Sequence, residues 1–516
     1  MRWPGVQGSP TVGRQAAAVC AAPLDAAAKR SGPCGWVLLA AAAAGCEAPP
    51  PAVDGDIAFV NVNVVSMLSD QVTPTQTVIV EDGIVTRIVP EGSVTLADGV
   101  LAIDGAGRYL MPALADMHTH VSDTESLQLN VAYGVTALRN LWGNEEVLAW
   151  RDAVAAGDLF GPEILTASPI IDHDPPSIPG SALLTRPEDA DAMVKSFKEQ
   201  GYDFLKPYRL LKEDVYIAMM DASEKYGIPV EGHMPEAIDV AQSIELGHDV
   251  IEHATGFSAA IVAEGIPWNP AFRSREMVET VGRINAGELE YEQVFRRERL
   301  RELSRLAARS GTAVSVTFQA VGLRALSGAD RQALREHPLI GYVAPEFHDF
   351  WFADDFDSVL PVDDMFTDAE IDSLEGFVTG EFGAWIGIMH EEGVLLLGGT
   401  DAANPGLFHG WSLHDELANL VRWADLSPHQ AIETVTVNAA KYWQKEGERG
   451  IVAAGAEADL LLLGANPLAD ITNTRTIEGL VIDGTWLDRA QLDDLLDSVA
   501  DSYAARLGAA SSTGLR

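Results

Sequence analysis

The sequence predicts an α/β protein with a (β/α)8, TIM-like barrel in the middle of the chain. A small β-sandwich domain, built from both chain ends, is expected to accompany it. Three observations carry this. Between about residues 111 and 440, short apolar runs alternate with helical patterns eight times. Residues 57–110 and 441–487 share a different, strand-rich character. The chain has 516 residues, 47% hydrophobic and 22% charged, an ordinary globular composition with ample length for a large core.

Residues 1–46 read as a leader. Lys29 and Arg30 precede an apolar run at 34–39 and five alanines at 40–44, followed by Gly45 and Cys46. A basic stretch, a short apolar stretch and small residues describe an export signal. The run is shorter than the roughly 20 residues that span a bilayer. Ala43-Ala44-Gly45-Cys46 resembles a bacterial lipobox, with Ala43 where leucine is usual. The expectation is export from a bacterial cytoplasm to the periplasm or cell envelope, with lipid at Cys46 as the one membrane attachment. Residues 47–56 are a linker.

In 57–110, alternating apolar residues mark strands, and Asp82-Gly83 between two of them predicts a hairpin. Across 111–440, strands are expected at 110–117, 135–141, 163–167, 202–207, 228–232, 249–251, 312–317 and 394–398. Helices are expected at 186–200 and at 212–226, the latter closed by Gly227. Long insertions at 256–311 and 319–385 suit a lid over the barrel mouth. Residues 441–487 return to the β-domain, and 488–516 form a C-terminal helix and tail.

Charge and cysteine usage exclude whole classes of function. Thirty-five basic residues against 76 acidic ones give a formal charge of −41, a field that repels nucleic acid. The three cysteines, Cys20, Cys34 and Cys46, all precede the folded body. Disulfides, cysteine-ligated zinc, iron–sulfur clusters and a cysteine nucleophile are therefore excluded from that body. Any metal there takes nitrogen and oxygen ligands.

In a barrel of this kind, chemistry sits at the C-terminal ends of the strands. The first strand runs into His118-Thr119-His120, and positions i and i+2 of a strand share a face. Lys206, His233, His253 and Asp401 each finish a further apolar run. Ionisable residues at five strand ends are costly in a core and useful around a cation.

These positions resemble the amidohydrolase superfamily over about residues 57–487. The resemblance rests on the His-x-His, on Gly399-Thr400-Asp401-Ala402, on Gly455-Ala456-Glu457-Ala458-Asp459-Leu460, and on Asn466-Pro467-Leu468. The phrase Gly201-Tyr202-Asp203-Phe204-Leu205-Lys206 resembles the prolidase-like and imidazolonepropionase-like branch. That resemblance implies two divalent ions: His118, His120 and Asp401 on one, His233 and His253 on the other, and a carbamate formed from CO2 on Lys206 between them. A lysine carbamate has two anionic oxygens able to span such a pair, and the donor set suits zinc.

The implied reaction is hydrolysis of an amide or peptide bond in a small substrate, a dipeptide or N-acyl amino acid. A metal-bridging hydroxide attacks, with Asp401 as proton carrier. Arg139 at the end of strand two, His173 after strand three and Tyr208 two residues past Lys206 are candidates for substrate contact. A homo-oligomer is a further expectation from this branch. The alternatives are a lactonase, esterase or phosphoesterase on the same paired site, and a mononuclear deaminase using His233-Met234-Pro235-Glu236.

Overall fold

The computed structural model describes residues 50–269, 274–323, 333–352 and 367–513. The leader, with Cys46, lies outside them. Strands from the two chain ends share one mixed sheet of eight strands. Its order is Thr485–Asp488, Ile477–Ile482, Leu460–Leu463, Tyr109–Pro112, Ile57–Val65, Val72–Glu81 and Ile84–Pro90, with Leu101–Asp104 also paired to Ile57–Val65. The two ends meet where Leu461 stands opposite Met111 in an antiparallel ladder.

One face of this sheet is apolar, bringing Ile57, Phe59, Val62 and Val64 against Val78, Val80, Leu460, Leu462 and Val481. Strict alternation would turn Val62 and Val64 to the other face. A register step beside Asn61, whose φ is +57°, brings them back. The expected hairpin is present: Asp82 and Gly83 both have positive φ, as a tight two-residue turn requires. On the opposite face Ala58 and Ile79 pack against Val53 and Leu96. These two belong to a two-stranded parallel ladder, Ala52–Val53 with Thr95–Leu96. One large sheet and this small ladder are what the described residues form where a sandwich was expected.

The first expected strand is divided. Tyr109–Pro112 belongs to the terminal sheet, and Leu114–Thr119 starts the central one, with the Ala113 N–H donating to Asp459 O between them. Pro112 has no N–H to continue the ladder, which suits it to this crossing point.

The central strands are all parallel and form two sheets. The first comprises Leu114–Thr119, Val135–Asn140, Glu163–Asp172 and Phe204–Pro207, with a short strand, Ala182–Leu183, added beside Glu163–Asp172. The second comprises Glu231–Gly232, Val250–Glu252, Ala313–Val316 and Leu396–Gly398. These ladders stop short of a closed ring, and single parallel bridges, Leu205 with Val230 and Thr119 with Ala402, link the sheets at both edges. One buried cluster draws on both: Ala115, Met117, Ala137, Val250, Ala313 and Leu397.

Helices between the strands cover the outside. Ala190–Gln200 and Glu213–Tyr226 end at Gly201 and Gly227, both left-handed. Within the second insertion lies the helix Pro345–Phe352, whose Trp351 is buried with its indole N–H on Ala403 O at 3.0 Å. The C-terminal helix Arg489–Thr513 packs on Thr124–Ala132, where Tyr503 donates to Asp123. Among the described residues no helix is long and apolar enough to cross a membrane.

Candidate metal centre

His118 lies on the strand Leu114–Thr119 and His120 one residue beyond it. Asp401 reaches them because the turn after Leu396–Gly398 folds directly against that strand. Thr400 N and Asp401 N both donate to His118 O, and His120 N donates to Ala402 O. Two features allow this approach. A Cβ on Gly399 would sit 2.5 Å from both the backbone nitrogen and the Cβ of His118, so only glycine fits. Asp116, fully buried, accepts from Thr400 N, Thr400 Oγ1 and His118 N, tying the first strand to this turn.

The three side chains converge. Asp401 Oδ1 lies 3.2 Å from His118 Nε2 and 2.8 Å from His120 Nε2, and its Oδ2 lies 3.9 Å from His253 Nε2. One ligand atom from each of His118, His120 and Asp401 fits within a 4.8 Å span. The imidazoles continue the cluster, with ring centroids 4.7 Å apart for His118 and His253 and 4.8 Å for His253 and His233. Asp401 and His253 both have left-handed backbones, φ +62° and +56°, an uncommon conformation for such residues that gathers at functional sites.

Lys206 is buried on Phe204–Pro207. Its Cδ would lie 3.1 Å from a Cβ placed on Gly232, the residue preceding His233. Its charge acts on both His120 and Glu252. The six expected ligands therefore come from five strand ends to one region.

A second layer fixes how the imidazoles point. His118 Nδ1 lies 2.6 Å from Glu252 Oε2, and His253 Nδ1 lies 2.5 Å from Thr317 Oγ1. With Nδ1 engaged, Nε2 of each ring faces Asp401, the arrangement by which carboxylates and hydroxyls orient metal-binding histidines. Imidazole nitrogens beside a carboxylate are a donor set that fits a divalent ion such as zinc.

The electrostatics agree. Burial raises the Asp401 carboxyl, but His118, His120 and His253 outweigh it and hold the group well below the carboxylate range. Burial lowers His120, with partial compensation from Asp401. Glu252 is also raised by burial, yet Arg139 and His118 bring it far below the ordinary value. Burial pushes Asp116 up to about 6.

The substrate candidates fare differently. Arg139 is fully buried beneath the centre and does not face the mouth. Its guanidinium binds Glu252, Met117 O and, at 2.9 Å, Glu231 Oε2. Burying that cation is tolerable because two carboxylates surround it, so the structure gives it a supporting place in the layer below. Tyr208 does stand at the mouth, stacked on His233 with centroids 4.2 Å apart. His173 lies on the loop after Glu163–Asp172, its Nδ1 2.8 Å from Asp174 O. Glu236, the proton carrier of the deaminase alternative, pairs with Arg209 at 2.9 Å on the surface.

Sequence reasoning missed Glu252, Glu231, Asp116 and Thr317. Glu231 and Glu252 each sit one or two residues before an expected ligand histidine, which was the available signal.

Residues 384–487 match the Amidohydrolase family. Comparison with curated proteins finds no match by sequence. Among solved structures, the chain is similar to a bottromycin amidohydrolase at 24% identity and TM-score 0.65, over 86% of this chain and 90% of that one. It is also similar to a prolidase candidate from Bifidobacterium longum at 23% identity and TM-score 0.60, over 86% and 98%. A Xaa-Pro dipeptidase with bound methionine follows at 20% identity and TM-score 0.58, over 84% and 99%.

The fold is an amidohydrolase fold.

That agrees with the resemblance read from the His-x-His and Gly-Thr-Asp-Ala phrases, and the second phrase, at 399–402, lies inside the matched segment. The chain accordingly has a mixed α/β architecture, and its residues 384–487 match that family's pattern.

Proposed function

We propose that this protein is a metal-dependent amidohydrolase cleaving C–N amide bonds of small substrates at the mouth of a closed (β/α)8 barrel. Closure is supported by the interior cluster shared between the two parallel sheets and by the bridges at both of their edges. The observation that carries the functional reading is the Asp401 carboxylate, which faces imidazoles from two other strands.

His118, His120 and Asp401 would hold one divalent ion and His233 and His253 a second, with Lys206, carbamylated, between them. Zinc suits these donors. When bound, the ions polarise the scissile carbonyl and make water nucleophilic near neutral pH. The chain's own residues supply the rest. Glu252 and Thr317 keep the Nε2 atoms of His118 and His253 turned inward. Asp401 accepts a proton from the attacking water and returns it to the departing amine nitrogen. Tyr208, stacked on His233, lines the approach.

A dipeptide or an N-acyl amino acid is the proposed substrate class, supported by the dipeptidase and prolidase descriptions of the similar structures. The deaminase alternative loses support, since Glu236 is engaged by Arg209. Export with a lipid anchor at Cys46 is likewise a proposal, resting on the composition of the leader alone. The functional test is a panel of dipeptides, N-acyl amino acids, lactones and phosphoesters assayed with zinc. Amide turnover removed by chelator and restored by zinc is expected. Activity on lactones or phosphoesters alone would overturn the amide assignment.

A further inference from the structure

Among the described residues six large apolar side chains stand well exposed, and three of them follow the ends of neighbouring strands on the side of the metal centre where Trp142 meets His120. Trp142, Leu183 and Leu210 are 40%, 46% and 39% exposed. Each sits by the C-terminal end of one of three neighbouring strands, Val135–Asn140, Glu163–Asp172 and Phe204–Pro207. Paired strands lie about 4.8 Å apart, so their loops adjoin and these side chains form an arc.

The arc is held in place from below. Gly143 donates its N–H to Ser168 O at 3.3 Å, and a Cβ on it would sit 1.6 Å from Ala167 O. The loop bearing Trp142 is thus pressed onto the adjacent strand. Its indole stands edge-on to His120, centroids 6.2 Å apart and planes at 90°. Leu183 is paired in register with Asp172, and Leu210 N donates to Asp172 Oδ1 at 2.9 Å. The same carboxylate accepts from His173 N and Ser177 N. A single buried acid therefore organises two loops that both present leucine to solvent.

Exposed apolar surface is unfavourable unless something covers it, and apolar walls beside a few converging polar groups describe small-molecule sites. We infer that Trp142, with Leu183 and Leu210, is the apolar wall of the substrate site, selecting amides whose flanking side chain is bulky and apolar. The occupant is the substrate's own side chain, because the wall begins in ring contact with His120. The inference rests on the hydrolase reading and deepens it.

The test uses the full chain loaded with zinc, as wild type, Trp142→Ala and Leu210→Ser. Dipeptides and N-acetyl amino acids carrying Gly, Ser, Leu or Phe beside the scissile bond give kcat/KM. Binding of phenylalanine hydroxamate against glycine hydroxamate gives a readout independent of turnover. Wild type is expected to favour Phe and Leu over Gly and Ser by at least about tenfold, from burial of one such side chain. Trp142→Ala should raise KM for the Phe and Leu substrates far more than for the Gly substrate, so that most of the preference is lost, and should remove the hydroxamate preference in parallel.

Hydroxamate discrimination without amide turnover would sink the hydrolase reading and keep the wall. Turnover whose preferences survive Trp142→Ala would do the reverse. If gel filtration shows that Trp142→Ala separates a dimer while substrate preference stays unchanged, the arc is an interface between copies and the inference fails.

Discussion

His118 Nδ1 and Glu252 Oε2 lie 2.6 Å apart in a fully buried pair, which fixes the ring so that its other nitrogen faces Asp401. The contact joins strands from the two parallel sheets. It makes the geometry of the metal centre depend on a residue that would not itself touch metal.

Glu252→Gln keeps the size of the side chain and removes its charge. Zinc affinity, measured by competition with a chromogenic chelator, should fall about 10–100-fold while circular dichroism stays native. Unchanged affinity would mean that His118 is oriented by packing alone.

Arg139 is the shared partner of Glu231 and Glu252. Arg139→Met leaves two buried carboxylates without their cation and should destabilise the fold by about 3–5 kcal/mol in urea unfolding. Arg139→Lys should recover little, because an ammonium lacks the planar fork that reaches both acids and Met117 O. Full recovery by lysine would show that charge alone matters.

Gly399→Ala introduces a Cβ at 2.5 Å from the His118 backbone. The strands must part at the point where Asp401 reaches the imidazoles. The expected outcome is a loss of about 1–3 kcal/mol of stability together with weakened metal binding. A variant with wild-type metal affinity would contradict the tight apposition of these two segments.

Glu416 gives a pH signature away from the metal ligands. Burial pushes its carboxyl up to about 8, against the opposing hydrogen bonds from Phe318 N and Gln319 N. A raised folded value means that the native state binds the proton more tightly. The contribution is complete below the ordinary value of 4.5 and is lost as pH rises through about 8. Between those limits stability should decline with pH, by at most about 1.4 kcal/mol per unit from this group. Glu416→Gln should flatten the urea midpoint over that window, and an unchanged slope would assign the decline elsewhere.

The strand ends were legible because strand periodicity and strand polarity are local. An apolar run ending in His118, His233 or Asp401 reveals both the strand and the face its last residue joins. What supports those residues was not legible. Glu252, Arg139 and Asp116 are charges inside a core, and a sequence shows a buried charge only through partners such as Glu231, 92 positions from Arg139. Arg139 looked like a mouth residue since it nears the end of its strand, yet side chains alternate, and its own points inward to the two acids. The division of the first expected strand at Ala113 was hidden for a related reason, because one continuous apolar run can serve two sheets. The arc of Trp142, Leu183 and Leu210 depends on which strands adjoin, which only topology supplies.

Metal stoichiometry by inductively coupled plasma mass spectrometry, on protein refolded with zinc and bicarbonate, tests the central claim most directly. Wild type should hold two equivalents per chain, and Lys206→Ala should lose both or retain one weakly. Wild-type protein that binds no metal, or a Lys206→Ala variant that keeps two equivalents undiminished, would contradict the paired centre.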